Sequence, residues 1–357
     1  MQPVEQMREQ FRDRILAAAG KHHLRLRGGG SKDWYGGQPD GDILDTREYR
    51  GVIDYAPTEL VITARCGTPL AQIEALLAEH DQMLAFEPPH FGPLATLGGA
   101  VASGLSGPRR ASAGAVRDFV LGCVMMDGRG EVLRFGGQVM KNVAGYDVSR
   151  LLAGSLGTLG VLLEHSIKVL PRPVAEHTLR FHLGEIDALR RLNEWAGQPL
   201  PISASCWHDG VLTLRLSGAQ AAVRAARDTL GGDPVPDAAV FWASLCEQTH
   251  PFFAGEQALW RLSLPSAASA MIVGGAQLIE WGGAQRWLKL DADADADGDR
   301  ARRLRAAVSA AGGHATLFRG GDKGIGVFHP LAPGVAKIHA RLKAQFDPAG
   351  VFNPGRM

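Results

Sequence analysis

Two spacings of apolar residues alternate along this chain, and together they predict a fold that mixes helices with strands. Residues 4–15 carry an apolar side chain at every third or fourth position, which is the spacing of an amphipathic helix. Residues 60–66, of sequence LVITARC, follow the period-two pattern of a strand and are rich in β-branched side chains. Thr68 and Pro69 then predict the cap and first residue of a short helix, whose apolar face lies within 70–77.

A β-hairpin is predicted in the middle of the first half. Residues 119–126 form a strand-like apolar run, and 131–135 form a second run after the turn residues Asp127 and Gly128. Residues 262–279 are uncharged as well, but they contain a proline, serines and paired glycines. That segment therefore predicts strand and turn rather than a membrane span.

The second half of the chain changes character after the proline-rich stretch 171–173, which predicts a domain boundary. Beyond it, strand-like and helical runs alternate; the strands are expected at Thr178–Leu183 and Val211–Leu216, and the helices at Gln220–Leu230 and Arg300–Ala311.

Three glycine-rich segments are candidates for ligand binding. The first, RLRGGGSK at Arg25–Lys32, sets bare backbone between basic residues. Free N–H groups in such a loop bind anions, and phosphate is the usual anion, although an isolated triple glycine is as often a flexible surface loop. The others, 91–108 and 151–163, are uncharged and apolar. We expect 91–108 to contain no helix interior, because glycine is costly there, and to lie against a flat or phosphorylated ligand.

Two common nucleotide-binding motifs do not fit the first glycine segment. A Walker A loop needs a glycine directly before its lysine, but Ser31 precedes Lys32. A dinucleotide-binding Rossmann loop counted from Gly28 would place Asp33 where its third glycine belongs. A ligand with both a pyrophosphate and large flat rings suits the three segments better, and FAD is the natural candidate.

Composition and charge exclude several classes of protein. With 38 basic and 37 acidic side chains among 357 residues, the formal charge is +1, so we expect no nucleic-acid partner. The four cysteines are far apart and form no CxxC motif, so this chain builds no iron–sulfur cluster by itself. The charged N-terminus is no signal peptide, so we expect a cytoplasmic protein without a direct membrane span, any membrane association coming through a partner.

The acidic stretch 291–299 resembles the first half of a calcium-binding EF-hand loop. Leu304 stands where that loop needs a bidentate glutamate, so the match fails. An acidic turn capping a helix that starts at Arg300 is the better interpretation, and we expect no metal site.

Seven segments carry a closer resemblance, in order and spacing. They are RGGGSK from Arg27, PTELVITARCGTPL from Pro57, EPPHFGPLATLGGAVASGLSGPRR from Glu87, VRDFVLG from Val116, RFGGQVMKNVAGYDVSRL from Arg134, GSLGTLGV from Gly154 and FDPAGVFNPGR from Phe346. The set resembles FAD-binding domains of the vanillyl-alcohol-oxidase type. More narrowly, 57–173 is similar to the FAD-binding E subunit family of bacterial glycolate oxidases, and the similarity covers nearly the whole chain.

This resemblance implies an α+β fold in which a two-subdomain FAD-binding domain of the vanillyl-alcohol-oxidase/PCMH type, 1–172, carries a smaller α+β cap domain, 173–325. A C-terminal segment, 326–357, would return to the FAD domain. The implied contacts to the pyrophosphate are Arg27, Gly28, Gly29, Gly30, Ser31, Lys32, Thr96, Leu97, Gly98, Gly99, Ala102 and Ser103, with Gly107 nearby. Those to the ribose, adenine and ring portions are Glu87, Pro88, Gly154, Gly157, Gly160 and Val161, with Asn353 near the flavin ring.

The resemblance also implies how FAD is held. Relatives with covalently bound flavin carry histidine at the fifth place of the glycine loop, where this chain has Ser31. We therefore expect FAD to be bound non-covalently.

Catalytic residues stay unassigned, because related D-2-hydroxy-acid dehydrogenases use a histidine motif that this chain lacks. His314 and His329 are its nearest counterparts, and each is more often a structural histidine. Arg319 is a candidate for a substrate carboxylate and equally for a solvated surface charge. The polar group of Lys141, Asn142, Tyr146 and Asp147 has two open interpretations, a loop scaffold or a substrate contact.

The resemblance further implies a complex that oxidises a small 2-hydroxy acid, glycolate, to glyoxylate. Its partners would be a larger FAD-binding D subunit and an iron–sulfur F subunit that carries the electrons away. Two alternatives stay open: an assembly or electron-relay subunit whose FAD never meets substrate, and an independent FAD oxidoreductase such as a nicotinamide-dependent reductase.

Overall fold

The computed structural model describes residues 3–137, 147–291 and 298–357. The chain divides into two compact units. Unit 1 comprises Met1–Leu105, Gly114–Pro171 and Pro330–Met357, and unit 2 comprises Ser106–Ala113 and Arg172–His329.

Helices and strands alternate through both units. The helices are α1 (Pro3–Ala18), α2 (Leu70–Ala78), α3 (Leu97–Ser103), α4 (Arg110–Ala113), α5 (Val116–Phe119), α6 (Val148–Leu151), α7 (Glu185–Ala196), α8 (Gln220–Leu230), α9 (Ala238–Cys246), α10 (Asp299–Ala310) and α11 (Pro333–Phe346). The strands are β1 (Leu24–Arg27), β2 (Asp42–Asp45), β3 (Val52–Ala56), β4 (Val61–Arg65), β5 (Gln82–Met83), β6 (Val120–Met126), β7 (Val132–Gly136), β8 (Val161–Lys168), β9 (Leu170–Pro171), β10 (Ala175–His182), β11 (Ile202–His208), β12 (Val211–Gly218), β13 (Asp233–Pro234), β14 (Ala258–Ser263), β15 (Ala276–Glu280), β16 (Gln285–Leu290) and β17 (His314–Arg319).

Unit 1 is built on a five-stranded antiparallel sheet and a small parallel pair. The sheet has the order β3-β4-β8-β6-β7, and β1 pairs with β2. Strands β6 and β8 are buried along nearly their whole length. The apolar face of α1 packs in one core with β1, β2 and Phe352, which lies near the C-terminus. The start and the end of the chain therefore share the core that supports the first glycine loop.

Unit 2 is an eight-stranded antiparallel sheet with helices packed on it. Its order is β13-β10-β12-β11-β15-β16-β14-β17. Helices α7 and α8 pack their apolar faces against β10 and β12, while α10 packs against β14, β16 and β17. Within the described ranges, no helix is both long and apolar enough to pass through a membrane.

Several elements confirm the sequence-based predictions. The helical stripe at 4–15 lies on α1, the hairpin strands are β6 and β7, and Gln220–Leu230 is helix α8 with the predicted bounds. The uncharged segment 262–279 contains the end of β14 and the start of β15, as strand and turn.

Two local predictions are wrong, and tertiary contacts explain both. Helix α2 begins at Leu70 after Pro69, and Thr68 does not cap it: the Thr68 hydroxyl accepts from the N–H of Gly51 at 2.8 Å and donates to the Arg65 carbonyl at 2.7 Å. The glycine segment does contain a helix, α3, which includes Gly98. A Cβ on Gly98 would lie 2.7 Å from the Cβ of Cys66, so close packing explains a glycine inside this helix. The acidic turn predicted at 291–299 stays a prediction, because residues 292–297 lie outside the described residues.

His165 lies in the middle of the unit 1 sheet, paired across strands with Ala64 and Cys123. Its ring is fully buried, and within the described residues its Nε2 has no hydrogen-bond partner. Burial lowers the pKa of His165 to about 4, although the hydrogen bond to the Gly122 carbonyl acts to raise it. The imidazole is therefore neutral at pH 7.

We expect this histidine to make unit 1 sensitive to acid. The pKa of His165 is lower in the folded than in the unfolded state. The contribution of His165 to the free energy of unfolding is therefore complete above about pH 6.5 and is lost as the pH falls towards 4. Between pH 7.5 and 4.5 the free energy of unfolding, measured by urea denaturation, should fall by ~2–3 kcal/mol more in the wild-type chain than in His165→Gln. Parallel pH profiles for the two proteins would contradict this prediction.

Candidate functional site

A cleft of about 600 Å³, measured out to open solvent, lies in unit 1 where β1 ends. The residues that line it come from the first glycine loop, α3, the 154–157 turn and the C-terminal tail. They are Arg25, Leu26, Arg27, Gly28, Gly29, Gly30, Ser31, Lys32, Asp33, Pro39, Thr96, Gly99, Ala102, Ser103, Leu156, Asn353 and Arg356.

The glycines of the first loop allow two stretches of backbone to touch. A Cβ on Gly29 would lie 1.5 Å from the Leu94 carbonyl oxygen, and one on Gly28 would lie 2.6 Å from the Thr96 hydroxyl. Gly30 has a φ of +73°, which favours glycine for a separate reason. The loop therefore cannot carry side chains at these positions without moving, and it presents main chain to the cleft.

The N–H groups of this loop are available to a ligand. Within the described residues, those of Gly28, Gly29, Gly30 and Ser31 have no hydrogen-bond acceptor. The N–H group of Asp33, two residues after Ser31, is different, because it closes a turn on the Gly30 carbonyl at 3.1 Å. Consecutive open N–H groups in a concave loop form a binding site for phosphate oxygens.

The charges around the loop point to the same kind of ligand. Four cationic side chains, those of Arg25, Arg27, Lys32 and Arg356, line the cleft against the single carboxylate of Asp33. Asp33 accepts hydrogen bonds from both Arg25 and Arg27, the latter at 2.8 Å from Nε. Burial lowers the pKa of Arg356, and nearby Arg25 lowers it further, although Asp33 acts against both. The excess of positive charge suits the two negative charges of a pyrophosphate.

Helix α3 offers fewer backbone donors than the sequence suggested. Its cap, Thr96, lines the cleft and accepts from the N–H of Gly99 at 3.2 Å. The N–H groups of Leu97 and Gly98 donate instead to the Thr68 and Cys66 carbonyls, at 2.9 and 2.8 Å. Leu97 and Gly98 therefore position the helix, whereas Gly99, Ala102 and Ser103 are the later α3 residues that reach the cleft.

Asn353 joins the C-terminal tail to two other parts of the cleft. Its amide oxygen accepts from the N–H of Leu26 at 2.8 Å, and its amide nitrogen donates to the Leu156 carbonyl at 2.7 Å. A Cβ on Gly157 would lie 2.7 Å from that nitrogen, so a glycine is needed beside it. Asn353, which is expected near the flavin ring, lines the cleft, and its polar atoms bond to protein and hold the cleft together.

The remaining residues expected at the cofactor do not line this cleft. Gly154 donates its N–H to Val101 at 2.9 Å, while Gly160 leads into β8 with Val161 and packs on Met126. Glu87 has a φ of 47° and precedes the buried Pro88. Gly107 belongs to unit 2, where its carbonyl accepts from the indole of Trp281 at 3.1 Å.

Three residues with clear roles line the cleft and are not among the contacts expected from the sequence. Arg25 and Asp33 form an ion pair across the glycine loop. Arg356 donates to the carbonyl of Lys32 at 3.2 Å. Arg25 and Arg356 stand inside segments already noted for their motifs, so an unexplained basic residue in a glycine-containing motif is the signal that could have found them.

The polar candidates outside the cleft are mostly engaged elsewhere. His329 accepts from the N–H of Ala315 at 3.2 Å and pairs with the Ser309 hydroxyl at 2.9 Å. Arg319 donates to the Phe253 carbonyl at 3.2 Å, and burial lowers its pKa. Asp147 caps α6, whereas Lys141, Asn142 and Tyr146 lie outside the described residues. Across 3–137, 147–291 and 298–357, no group of histidine, cysteine and acidic side chains is placed to bind a metal.

Comparison with known proteins identifies the ligand class. Residues 9–136 match the family described as FAD binding domain, and this range contains the glycine loop and α3. A solved structure of alkyldihydroxyacetonephosphate synthase superposes with a TM-score of 0.65 over 97% of this chain and 74% of that one, at 15% identity. The fold is therefore the expected α+β fold of the vanillyl-alcohol-oxidase/PCMH type, and the cofactor is FAD.

Sequence relatives place the chain more narrowly. It is 31% identical to glycolate oxidase subunit GlcD of Bacillus subtilis and 33% identical to a D-lactate dehydrogenase of Archaeoglobus fulgidus. Those matches cover 49% and 50% of this chain, and 38% and 40% of the relatives. It is 52% identical to glycolate oxidase subunit GlcE of Escherichia coli, over 96% of this chain and 94% of that protein. The chain therefore belongs to the FAD-binding family of glycolate oxidase E subunits.

Proposed function

We propose that this chain is the FAD-carrying E subunit of a complex that oxidises glycolate to glyoxylate. The observation that carries the proposal is the glycine loop 28–31, whose open N–H groups face a cleft with excess positive charge inside the matched FAD-binding range. The identity to an E subunit named for glycolate supports the choice of substrate.

The cleft residues fit FAD through its phosphates. The N–H groups of 28–31 and the side chains of Arg27, Lys32 and Arg356 would hold the pyrophosphate, while Ala102 and Leu156 supply apolar surface. Bound FAD would supply the acceptor for the hydride that a 2-hydroxy acid gives up on oxidation. This chain's own residues supply binding and orientation, and we propose 1–172 as the FAD domain, 173–325 as the cap and 326–357 as the returning tail.

Electrons would leave through companion subunits, a larger flavoprotein D subunit and an iron–sulfur F subunit. Cluster ligation needs thiolates, and burial raises the pKa of the Cys66 and Cys206 thiols well above the usual value and that of Cys123 to about 12. These cysteines are therefore poor ligands, which supports a partner that carries the cluster.

A second candidate function is that of a flavin relay whose FAD never meets glycolate directly. His329, one of the two histidines that could have served a metal-assisted oxidation, has both ring nitrogens engaged with protein. His314 lies on the edge strand β17, and desolvation together with Arg261 lowers its pKa. These observations support the relay function as the second candidate, in which the D subunit would carry the glycolate chemistry.

The anaerobic visible spectrum of the FAD-loaded chain distinguishes the two functions. Under the leading proposal, we expect glycolate to bleach the flavin band of the isolated chain. A band that persists with the chain alone, and bleaches once the D and F subunits are added, would assign it the relay function. No flavin band after incubation with FAD would refute both.

Substituting Gly29 tests the loop itself. We expect Gly29→Ala to weaken FAD binding at least ~10-fold, because the new Cβ would displace either the loop or the Leu94 carbonyl. Gly184→Ala is a matched control, since a Cβ there meets no atom within 4 Å. The Kd for FAD is measured by titration of flavin fluorescence, and an unchanged value for Gly29→Ala would rule out this loop as the phosphate site.

The mode of FAD attachment has its own test. Ser31 stands where relatives with covalent flavin carry histidine, and a serine hydroxyl cannot form that imidazole link. We expect precipitation of the holoprotein with trichloroacetic acid to release all the flavin into the supernatant. Flavin that stays with the pellet and with the denatured band on a gel would show a covalent bond and overturn the prediction.

A further inference from the structure

Helix α11 is attached to the rest of unit 1 through its last turn. The Lys343 ammonium donates to the carbonyls of Thr158 and Phe352 at 2.7 and 2.8 Å, and it pairs with Asp347 at 2.6 Å. The Phe346 ring packs edge-on against Phe135 with centroids 6.3 Å apart. These contacts fix where the helix ends and the direction in which it leaves the unit.

The first part of the same helix is exposed and carries an apolar stripe. All residues from Leu331 to Ala340 are exposed. Val335, Ile338 and Leu342 follow the spacing of a single helix face, and Leu331 lies just before the helix; we call these four residues the α11 stripe. Leu331, Val335 and Ile338 are 48%, 43% and 57% exposed. A stripe of this kind is normally packed against another surface, because helices this short gain most of their stability from such packing.

The charges on α11 are all of one sign. The helix contains Lys337, Arg341 and Lys343 and no acidic residue, in a chain whose formal charge is only +1. At about 100° per residue, the exposed Lys337 and Arg341 lie on one side of the α11 stripe, whereas the Lys343 ammonium on the other side is bonded within unit 1. A partner that covers the stripe would therefore meet cations along one border.

We propose that the α11 stripe docks into an apolar groove bordered by carboxylates on a companion subunit of the oxidase. The inference rests on the proposed function, since it requires that the chain works as a subunit. A second copy of this chain fits poorly, because two such helices would bring like charges together at the borders. A membrane surface fits poorly too, because the exposed turns lack the aromatic residues that anchor helices at lipid interfaces. An amphipathic helix in a groove is a common mode of recognition between proteins.

Two variants of the same helix test the proposal. Ile338→Glu places a carboxylate in the α11 stripe, whereas Ala340→Glu adds the same group about 200° around the helix. The purified chain, loaded with FAD, is titrated into the D and F subunits, and assembly is followed by sedimentation velocity. We expect Ile338→Glu to raise the Kd for assembly ~10-fold or more and Ala340→Glu to leave it within about twofold.

The outcomes separate this inference from the proposed function. Wild-type assembly that Ile338→Glu leaves unchanged would overturn the docking surface alone. If the wild-type chain does not assemble with the D and F subunits, the docking surface and the subunit function fall together. Two further outcomes would also overturn the docking surface, each with assembly unaffected. If Ile338→Glu abolishes self-association, the stripe binds a second copy. If it abolishes binding to phosphatidylglycerol vesicles, the stripe binds lipid. FAD titration of each variant verifies that unit 1 is folded.

Discussion

The structure around the cofactor site depends on direct contact between two stretches of backbone. Gly29 lies so close to the Leu94 carbonyl that no side chain fits between them, and Gly28 leaves as little room against the Thr96 side chain. Because main chain packs on main chain there, the N–H groups of the loop stay open instead of being covered by side chains. The same contact fixes Thr96, and with it the start of α3, at the edge of the cleft. The basic residues around the loop add charge to a site that the backbone has already shaped.

The C-terminal tail completes this site from the far end of the sequence. Asp347 is fully buried and accepts from the N–H groups of Val351 and Phe352 at 2.9 and 2.8 Å, while it pairs with Lys343. This clasp turns the chain so that Asn353 bonds to Leu26, next to the glycine loop. The last turn of α11, the tail and the edge of the cleft are therefore joined by a continuous set of hydrogen bonds, because Lys343 bonds to both Asp347 and the Phe352 carbonyl.

The sequence predicted the glycine loop well and α3 less well, and the difference has a physical cause. The loop at 28–31 is defined by local features: glycines, a left-handed residue and flanking charge. The sequence around Leu97 and Gly98 in α3 suggests open N–H groups just as strongly. In the structure, however, these N–H groups are bonded to the Thr68 and Cys66 carbonyls. Such long-range acceptors leave no trace in spacing or composition. Asn353 is a similar case, because its motif placed it at the site, whereas its role as a cross-link depends on the Leu156 carbonyl.

The distribution of ionisable groups explains why this chain would need both a cofactor and partners. Several groups that could do redox or acid–base chemistry are buried or bonded within the described residues: the Cys66 and Cys123 thiols have raised pKa values, His165 is neutral inside the sheet, and His329 is bonded through both ring nitrogens. The groups that remain at the cleft are cations with one internal carboxylate, Asp33, which holds two arginines side by side against their mutual repulsion. A site of this composition binds and orients a diphosphate, and it offers no group of its own to take up electrons. On the proposed function, the flavin supplies the redox capacity, and electrons would leave it through companion subunits.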